Sequence, residues 1–318
     1  ISALEKAARD KGVEFLLECK AEELITDGSG AVTGVKATTP TENMTINAKS
    51  VVLATGGFSK NPEMVKSYSP EIEQVVPLAA VSSTGDGIRM AEAVGAARFE
   101  NYWSSLSGVT ISMDYAKAVP EASGLTTAQQ LGVNGNGERF ACEAGKHHTA
   151  LTYDLIKDGN YPYFFIFDSS NEELIAPMEA GIELGEVFKG DTIEQLSGAI
   201  NVDASTLETT YDRYNELAKS GSDDDFGKEA DKLIALEKGP FYAVKFYPTT
   251  FGTMGGVQTN VDTANVLRED GTGIANLYAA GEMSNRDFYN QHYVLAASLS
   301  FYSTMGMRAG AAAAENAK

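Results

Sequence analysis

The chain of 318 residues carries 25 lysine and arginine side chains against 44 aspartate and glutamate side chains, a formal charge of −19. Such an acidic surface repels phosphate backbones and anionic membranes, so the composition argues against nucleic-acid binding. No apolar run approaches the ~20 residues of a membrane-spanning helix, and we expect no direct membrane insertion. The two cysteines, Cys19 and Cys142, are too few for a disulfide framework or a zinc cluster, and we expect no metal site.

The N-terminal part predicts a helix, a strand and then an antiparallel hairpin. Residues 1–11 have apolar side chains at helical spacing, and residues 12–17 follow a Lys-Gly helix stop as a candidate strand. Residues 22–25 and 31–38 are expected to pair across an Asp-Gly-Ser-Gly turn, and residues 44–48 to add a further strand.

Two small-residue segments follow. The apolar run at 50–54 predicts a parallel strand covered on both faces, and it ends in Thr55, Gly56 and Gly57. Open α/β sheets bind ligands at such strand ends. The Ser-Thr-Gly-Asp-Gly segment at 83–87 then opens a predicted helix whose backbone N–H groups are suited to an anion or a polar ring edge.

The middle of the chain has a different pattern of predicted elements from both ends. It predicts an aromatic strand around Phe164 and helices over 192–199 and 205–220, the second with Ser205 and Glu208 at capping-box spacing. The C-terminal part then predicts strands over 241–246 and 274–282 and a closing helix over 296–317. The pattern indicates an α/β domain interrupted by an inserted domain.

Six segments, in chain order, carry motifs that are typical of one family: VVLATGGF at 51–58, STGDGIRMA at 83–91, GERF at 137–140, the helices and acidic loop at 191–228, TMGG at 253–256, and LYAAGE at 277–282. Together they resemble the FAD-dependent fumarate reductase/succinate dehydrogenase flavoprotein superfamily, especially its flavocytochrome-c-like and urocanate-reductase-like branch. The resemblance implies an α/β fold: a partial FAD-binding Rossmann-like domain with an inserted α+β capping domain. We expect the FAD-binding parts at 1–106 and 241–318 and the capping domain at 107–240.

One expected motif is missing. Proteins of this family open with a G-x-G-x-x-G turn that holds the FAD pyrophosphate, and no such spacing occurs in this sequence. We therefore expect the chain to be the C-terminal part of a longer flavoprotein. This part alone is expected to bind FAD weakly or not at all.

The resemblance implies which residues contact FAD. Ala21 lies where the chain passes the adenine, although a simple strand start explains it almost as well. Glu282 matches an acidic residue that binds ribityl or ribose hydroxyls, and Ser298 and Leu299 would aim N–H groups at the flavin O2. The full set of cofactor-binding candidates is Ala21, Ala54, Thr55, Gly56, Gly57, Thr84, Gly85, Asp86, Gly87, Glu282, Ser298 and Leu299.

At the catalytic positions the sequence departs from the family. The proton-donating Arg of the fumarate reductases lies four residues after a Glu, and the same count from Glu143 reaches His147. Phe251 replaces a His that binds substrate carboxylate. The carboxylate-clamping Arg is also absent, and His292 or Tyr293 lies nearest in register.

These departures set the predicted chemistry. His147, His292 and Tyr293 are the candidate catalytic residues, because a histidine or a coupled tyrosine can donate a proton near neutral pH. The candidate substrate-binding residues are Phe251, Thr253 and Arg286. A dicarboxylate needs cationic partners to offset the desolvation of its charges, so fumarate itself fits poorly.

The predicted function is reduction of an activated C=C bond in a small unsaturated acid, with hydride passing from flavin N5. Two alternatives stay open: a flavin-dependent dehydrogenase that desaturates a ketone-activated substrate, and a binding module that lost catalysis. The reductase would need an electron-donor protein or domain outside this chain. The sequence leaves the localisation open.

Overall fold

The computed structural model describes most of the chain, in ranges 2–68, 76–99, 103–128, 130–143, 160–289, 294 and 296–318. Its α-helices are α1 (Ser2–Asp10), α2 (Pro62–Tyr68), α3 (Asp86–Ala93), α4 (Met113–Ala118), α5 (Glu172–Glu183), α6 (Ile193–Ile200), α7 (Ala204–Ser220), α8 (Arg286–Tyr289) and α9 (Ala297–Asn316). Short 3₁₀ turns occupy Pro120–Thr126, Ala230–Lys232 and Gly281–Met283. Across these ranges, no helix combines the length and the apolar composition that crossing a membrane requires.

The strands form three sheets. They are β1 (Lys20–Thr26), β2 (Val32–Thr38), β3 (Asn43–Asn47), β4 (Val51–Leu53), β5 (Val76–Pro77), β6 (Trp103–Thr110), β7 (Leu131–Val133), β8 (Tyr163–Phe167), β9 (Val187–Gly190), β10 (Phe241–Met254), β11 (Asn265–Leu267) and β12 (Gly273–Ala279). One sheet has the order β1-β2-β3, and a second has the order β11-β12-β4. The third contains β5 to β10 around the central strand β10. Helices and mixed sheets thus combine as the predicted α/β fold with an inserted α+β region requires.

The strand predicted at 50–54 is confirmed. β4 pairs in parallel with β12, and Val51 lies opposite Leu277. Val51 and Leu53 are buried in one apolar core with residues of β12 and α3, whereas Val52 on the opposite face is 40% exposed. The described structure therefore covers one face of this strand, not both.

The strand β10 connects two regions. The residues from Phe241 to Phe246 pair with β8 and β9, and those from Tyr247 to Met254 pair with β6 and β5. The aromatic side chains of β8 are buried against two apolar cores, one beside α5 and one beside α6 and α7. The predicted domain boundary at 240 lies at the start of β10 and stays a prediction.

Two local predictions are wrong. Residues 13–16 form no strand, because they have no partner strand in the described structure and Val13 and Leu16 are more than half exposed. The cap of α7 is Asp203 and not Ser205: its carboxylate accepts a hydrogen bond of 2.9 Å from the Thr206 N–H. A carboxylate is a stronger acceptor than a hydroxyl at a helix N-terminus.

Candidate functional site

Two parallel strands end side by side in open glycine turns. β4 continues into Gly56 and β12 into Gly281, and the Ala280 N–H donates to the Leu53 carbonyl at 3.0 Å. Both glycines have positive φ, 77° and 85°, a backbone conformation that glycine adopts without strain. A side chain at Gly281 would meet no atom within 4 Å, and one at Gly56 would approach only Ser83 Oγ. The strand ends thus present uncovered backbone where α/β sheets bind cofactors.

Beside these turns, the half-buried carboxylate of Glu282 connects two segments that are distant in the chain. Glu282 Oε1 accepts hydrogen bonds from the Thr253 N–H at 2.7 Å and from Thr253 Oγ1 at 3.2 Å. Burial raises the pKa of Glu282, while the two bonds from Thr253 oppose this rise. A Cβ atom at Gly57 or Gly252 would overlap this carboxylate, so both positions require glycine for close packing.

Asn285 fixes the turn that follows Thr253. Its Oδ1 accepts from the Gly255 N–H at 2.9 Å, and its Nδ2 donates to the Thr253 carbonyl at 3.0 Å and to Tyr302 Oη at 3.2 Å. The side chain is almost fully buried, so these bonds satisfy backbone groups that water cannot reach. The sequence analysis missed Asn285 and Tyr302, because contacts between residues so far apart in the chain leave no periodic signal.

These groups line a small cavity of about 140 Å³. It brings together four predicted site residues, Phe251, Thr253, Glu282 and Ser298. The remaining lining residues are Gly252, Asn285 and Tyr302. Phe251 is 53% exposed and lies in the same cavity lining as the Glu282 carboxylate. The cavity thus has one aromatic wall and one polar wall.

The segment at 84–87 packs against the first glycine turn. The Gly85 N–H donates to the Gly57 carbonyl at 3.0 Å, and a Cβ atom at Gly87 would overlap Thr55 Oγ1. Asp86 accepts a hydrogen bond from Thr84 Oγ1 at 3.1 Å and forms an ion pair with Arg89. Burial acts to raise the pKa of Asp86, but the hydrogen bonds from Arg89 and Thr84 lower it on balance.

Ala21 lies in a different cavity from Glu282. This second cavity, of about 400 Å³, lies between β1 and α3 and is lined by Ala21, Asp86 and Arg89 among others. The two cavities share no lining residue. Ala21 and Asp86 therefore belong to one place on the surface and Glu282 to another, and a ligand that contacts both has to be elongated.

Other predicted residues lie around these cavities or outside the described ranges. Arg286 begins α8 directly after Asn285, and Leu299 is 79% exposed in the first turn of α9. His147, His292 and Tyr293 lie outside the described residues. Within the described part of the chain, no group of three or more His, Cys, Asp or Glu side chains could hold a metal ion.

The open turns at Gly56 and Gly281 fit a large planar or phosphate-bearing cofactor, because the space beside both glycines is free of side chains apart from Ser83 Oγ near Gly56. Of the predicted cofactor-binding residues, those of 54–57 lie at one strand end, Glu282 lies at the other, and Ser298 lies at the start of α9.

The chain is similar in sequence to known proteins. A family model described as an FAD binding domain matches residues 1–294. A probable fumarate reductase of Shewanella frigidimarina is 33% identical over 288 residues, 89% of this chain and 47% of that protein. A urocanate reductase of Eggerthella lenta is 33% identical over 301 residues, 87% of this chain and 47% of that protein.

Among solved structures, a 3-ketosteroid Δ1-dehydrogenase from Sterolibacterium denitrificans superposes with a TM-score of 0.81 and 26% identity. The superposition covers 98% of this chain and 62% of that one. The chain spans about half the length of the curated relatives it matches.

Proposed function

Because the chain belongs to the FAD binding domain family, we propose that it acts within a longer flavoprotein that reduces the C=C bond of a small unsaturated acid. The observation that carries this proposal is the pair of open glycine turns beside the cavity that Glu282 and Phe251 line. Bound FAD supplies a hydride to one carbon of the double bond, and a protein acid supplies the proton to the other. Relatives that are named as reductases favour an enzyme over a non-catalytic binding module.

The chain's own residues have three tasks in this proposal. Residues 54–57, Glu282 and the N–H groups of Ser298 and Leu299 hold and orient the cofactor. Thr253 fixes the Glu282 carboxylate, and Asn285 fixes the backbone of the cavity wall. His147 donates the proton, with His292 and Tyr293 as the other candidate acids.

The substrate carries less negative charge than fumarate in this proposal. Phe251 supplies an apolar surface at the cavity, and such a surface does not offset the desolvation of a second anionic group. Arg286, next to Asn285, is the candidate partner for a single carboxylate. A monocarboxylate with an apolar or aromatic substituent matches this set best.

The likeness to a steroid dehydrogenase supports a second candidate. In that case hydride leaves a saturated carbon of a ketone-activated substrate and the flavin accepts it, while His292 and Tyr293 take part in removing the proton. The superposition on that dehydrogenase, with a TM-score of 0.81 over 98% of this chain, supports this candidate.

The test uses the longer flavoprotein that contains this chain. Its visible spectrum is recorded, its flavin is reduced with dithionite without oxygen, and reoxidation by fumarate, acrylate and cinnamate is followed. We expect cinnamate or acrylate to reoxidise the flavin at least tenfold faster than fumarate. His147→Ala is expected to abolish this reaction, while the neighbouring His148→Ala serves as the matched control.

Each other outcome has a definite meaning. Fast reoxidation by fumarate contradicts the proposed substrate class. Bound flavin that no acceptor reoxidises, but that a saturated ketone reduces, identifies the dehydrogenase. A protein that contains no flavin contradicts the enzyme proposal altogether.

The electron donor of the reductase is a protein or domain outside this chain in our proposal. Reduction of the flavin by a candidate donor in the absence of dithionite tests this part.

A further inference from the structure

A third cavity lies in the predicted capping region. Its volume is about 690 Å³, within the range of about 300–1,000 Å³ that small-molecule sites occupy. The end of β8, the first turn of α5 and the segment at 231–234 form its walls. It shares no lining residue with the cavity beside Glu282 or with the cavity beside Ala21. It is therefore a separate candidate site.

A buried carboxylate fixes the inner wall of this third cavity. Asp168 follows β8 directly and is 3% exposed. Its Oδ1 accepts a hydrogen bond from the Ser170 N–H at 3.1 Å. Its Oδ2 accepts from the N–H groups of Glu237 and Lys238, at 2.9 Å and 3.0 Å. Because backbone donors already satisfy both oxygens, this carboxylate holds the wall in place and needs no ligand.

Gln130 adds an amide donor without a partner to the same wall. Its side chain is 7% exposed, and its Oε1 accepts from the Asp168 N–H at 3.3 Å, which fixes the orientation of the amide. Among the residues that the structure describes, none accepts a hydrogen bond from its Nε2. Since the protein does not enclose Nε2 either, this group faces the cavity that Gln130 lines. An NH₂ group placed in this way binds the oxygen of a ligand or of water.

The mouth of the third cavity carries three further carboxylates, those of Glu172, Glu173 and Asp231. All three residues are exposed, and within the described ranges none of the three carboxylates forms an ion pair. Lys232 also lines the cavity, but its ammonium group pairs with Glu229 at 3.3 Å. The lining thus has an excess of negative charge that a cationic ligand offsets.

We propose that the third cavity is a second ligand site, which binds a small organic cation that also carries a carbonyl oxygen. The cationic group of the ligand contacts the carboxylates of Glu173 and Asp231, and its carbonyl oxygen accepts from Gln130 Nε2. Ile234, which is 51% exposed in the lining, provides apolar surface for the carbon skeleton. The carboxylates repel an unsaturated acid, so this site and the flavin site select ligands of opposite charge.

The experiment titrates the flavin-loaded longer protein with three probes in a calorimeter. The first probe, 4-guanidinobutyramide, has both the cation and the carbonyl oxygen. We expect it to bind saturably at one site, and more weakly as salt is added, because salt screens the exposed carboxylates. Its neutral isostere 4-ureidobutyramide lacks the charge and should bind about tenfold more weakly. Butylguanidinium lacks the carbonyl oxygen and should bind about twofold to tenfold more weakly, since it forms no hydrogen bond with Gln130.

Isosteric variants locate the bound cation. Glu173→Gln and Asp231→Asn each remove one carboxylate from the lining, and each should weaken the binding of 4-guanidinobutyramide about twofold to fivefold. Glu183→Gln is the matched control, because Glu183 lies at the other end of α5, about 15 Å along the helix axis, and does not line the cavity. This control should bind the probe with wild-type affinity.

The absence of saturable binding would overturn the inference, and so would equal affinity for 4-guanidinobutyramide and its neutral isostere. A loss of affinity that Glu183→Gln shares would also overturn it, because the charge of the whole surface would then account for the binding. Binding that both lining variants retain, and that cinnamate displaces, would place the cation at the flavin site instead. None of these measurements uses the flavin reaction, so their outcome does not depend on the proposed function.

Discussion

The strand-end site and the buried ion cluster both fasten distant parts of the chain through polar groups, but they do so in opposite ways. The buried ion cluster consists of four charged side chains, those of Arg139, Glu143, Asp223 and Lys228. At the strand ends, glycines leave the backbone uncovered, and the Glu282 carboxylate is held by the neutral donors of Thr253. In the cluster, long charged side chains fill their own space, and each carboxylate has cationic partners. The charges of the cluster are thus paired within the chain itself. The strand-end site, in contrast, leaves open space beside its glycines, which suits the binding of a ligand.

The pKa shifts show the same contrast. Burial raises the pKa of Glu282, because no cation of the described structure compensates it within the cavity lining. Burial also acts to raise the pKa of Asp223, but Arg139 and the Lys228 N–H lower it to about 2. The surroundings of Glu282 thus favour its neutral form, and those of Asp223 favour its charged form.

The largest expected effect comes from breaking the self-contained cluster. Arg139→Leu leaves two buried carboxylates without their main cation, so we expect the free energy of unfolding to fall by about 3–5 kcal/mol. Denaturant unfolding measures this loss. Arg213→Leu, the same change at an exposed ion pair, should have no measurable effect. An equal fall in the free energy of unfolding in Arg139→Leu and Arg213→Leu would contradict the larger effect that we expect from the buried position of Arg139.

The next effect concerns the polar wall of the cavity. Asn285→Ala leaves the Gly255 N–H and the Thr253 carbonyl without partners, and we expect a loss of about 3 kcal/mol in the free energy of unfolding. The exposed Asn43, which accepts from Thr38 Oγ1, provides the control, and Asn43→Ala should cost less than about 0.5 kcal/mol. A loss in Asn285→Ala as small as that of the control would contradict the role given to Asn285.

A third variant tests the space at the strand ends. In Gly57→Ala the new methyl group overlaps Thr253 Oγ1 and the Glu282 carboxylate, so we expect a loss of about 2 kcal/mol and a lower flavin content. Gly198 on α6 has no neighbour within 4 Å of an added Cβ, and Gly198→Ala should gain about 0.5–1 kcal/mol. Denaturant unfolding measures the change in the free energy of unfolding, and the flavin absorbance per protein measures the flavin content. Full flavin content in Gly57→Ala would contradict close packing at this turn.

The smallest effect is a change in pH dependence. Because the pKa of Glu282 is raised by burial, the folded protein binds its proton more tightly than the unfolded chain does. This contribution to stability is present below the ordinary pKa of 4.5 and is lost as the pH rises through the raised pKa. Glu282→Gln should remove that loss, so the flavin-free variant should gain stability relative to wild type over this window. Parallel stability curves for the two proteins would contradict the prediction.

The sequence predicted much of the strand-end site because its signals are local. The run at 51–53, the glycines after it and the strand that ends before Gly281 are each visible in a few consecutive residues. The cluster was not predicted, because its charges come from segments about eighty residues apart, and nothing local distinguishes Asp223 from the solvated Asp225. Periodicity reports which face of an element is apolar, but it does not report which charged side chain finds a buried partner.

The strand at 12–17 was predicted wrongly for the same reason, because a local pattern does not report which partner a segment finds in the tertiary structure. Its apolar residues satisfy the local criteria for a strand, yet no neighbouring strand in the described structure offers hydrogen bonds to them. A strand is defined by its partner, so a run such as Val13 to Leu17 stays ambiguous until the tertiary structure is known.

The central strand β10 has a mechanical consequence. Its 14 residues are hydrogen-bonded at one end to β8 and β9 and at the other to β6 and β5, without an intervening loop. At about 3.3 Å per residue, the strand spans about 46 Å between the aromatic core and the Thr253 turn, and its pairing with β6 shifts register on both sides of Thr250. Relative rotation of the two ends has to be taken up within the strand itself, above all at these register shifts, because a bulge bends a strand and increases its local twist. We therefore expect that a rotation of the strand beside Phe241 moves Thr253, and with it the wall of the cavity, through the backbone of β10.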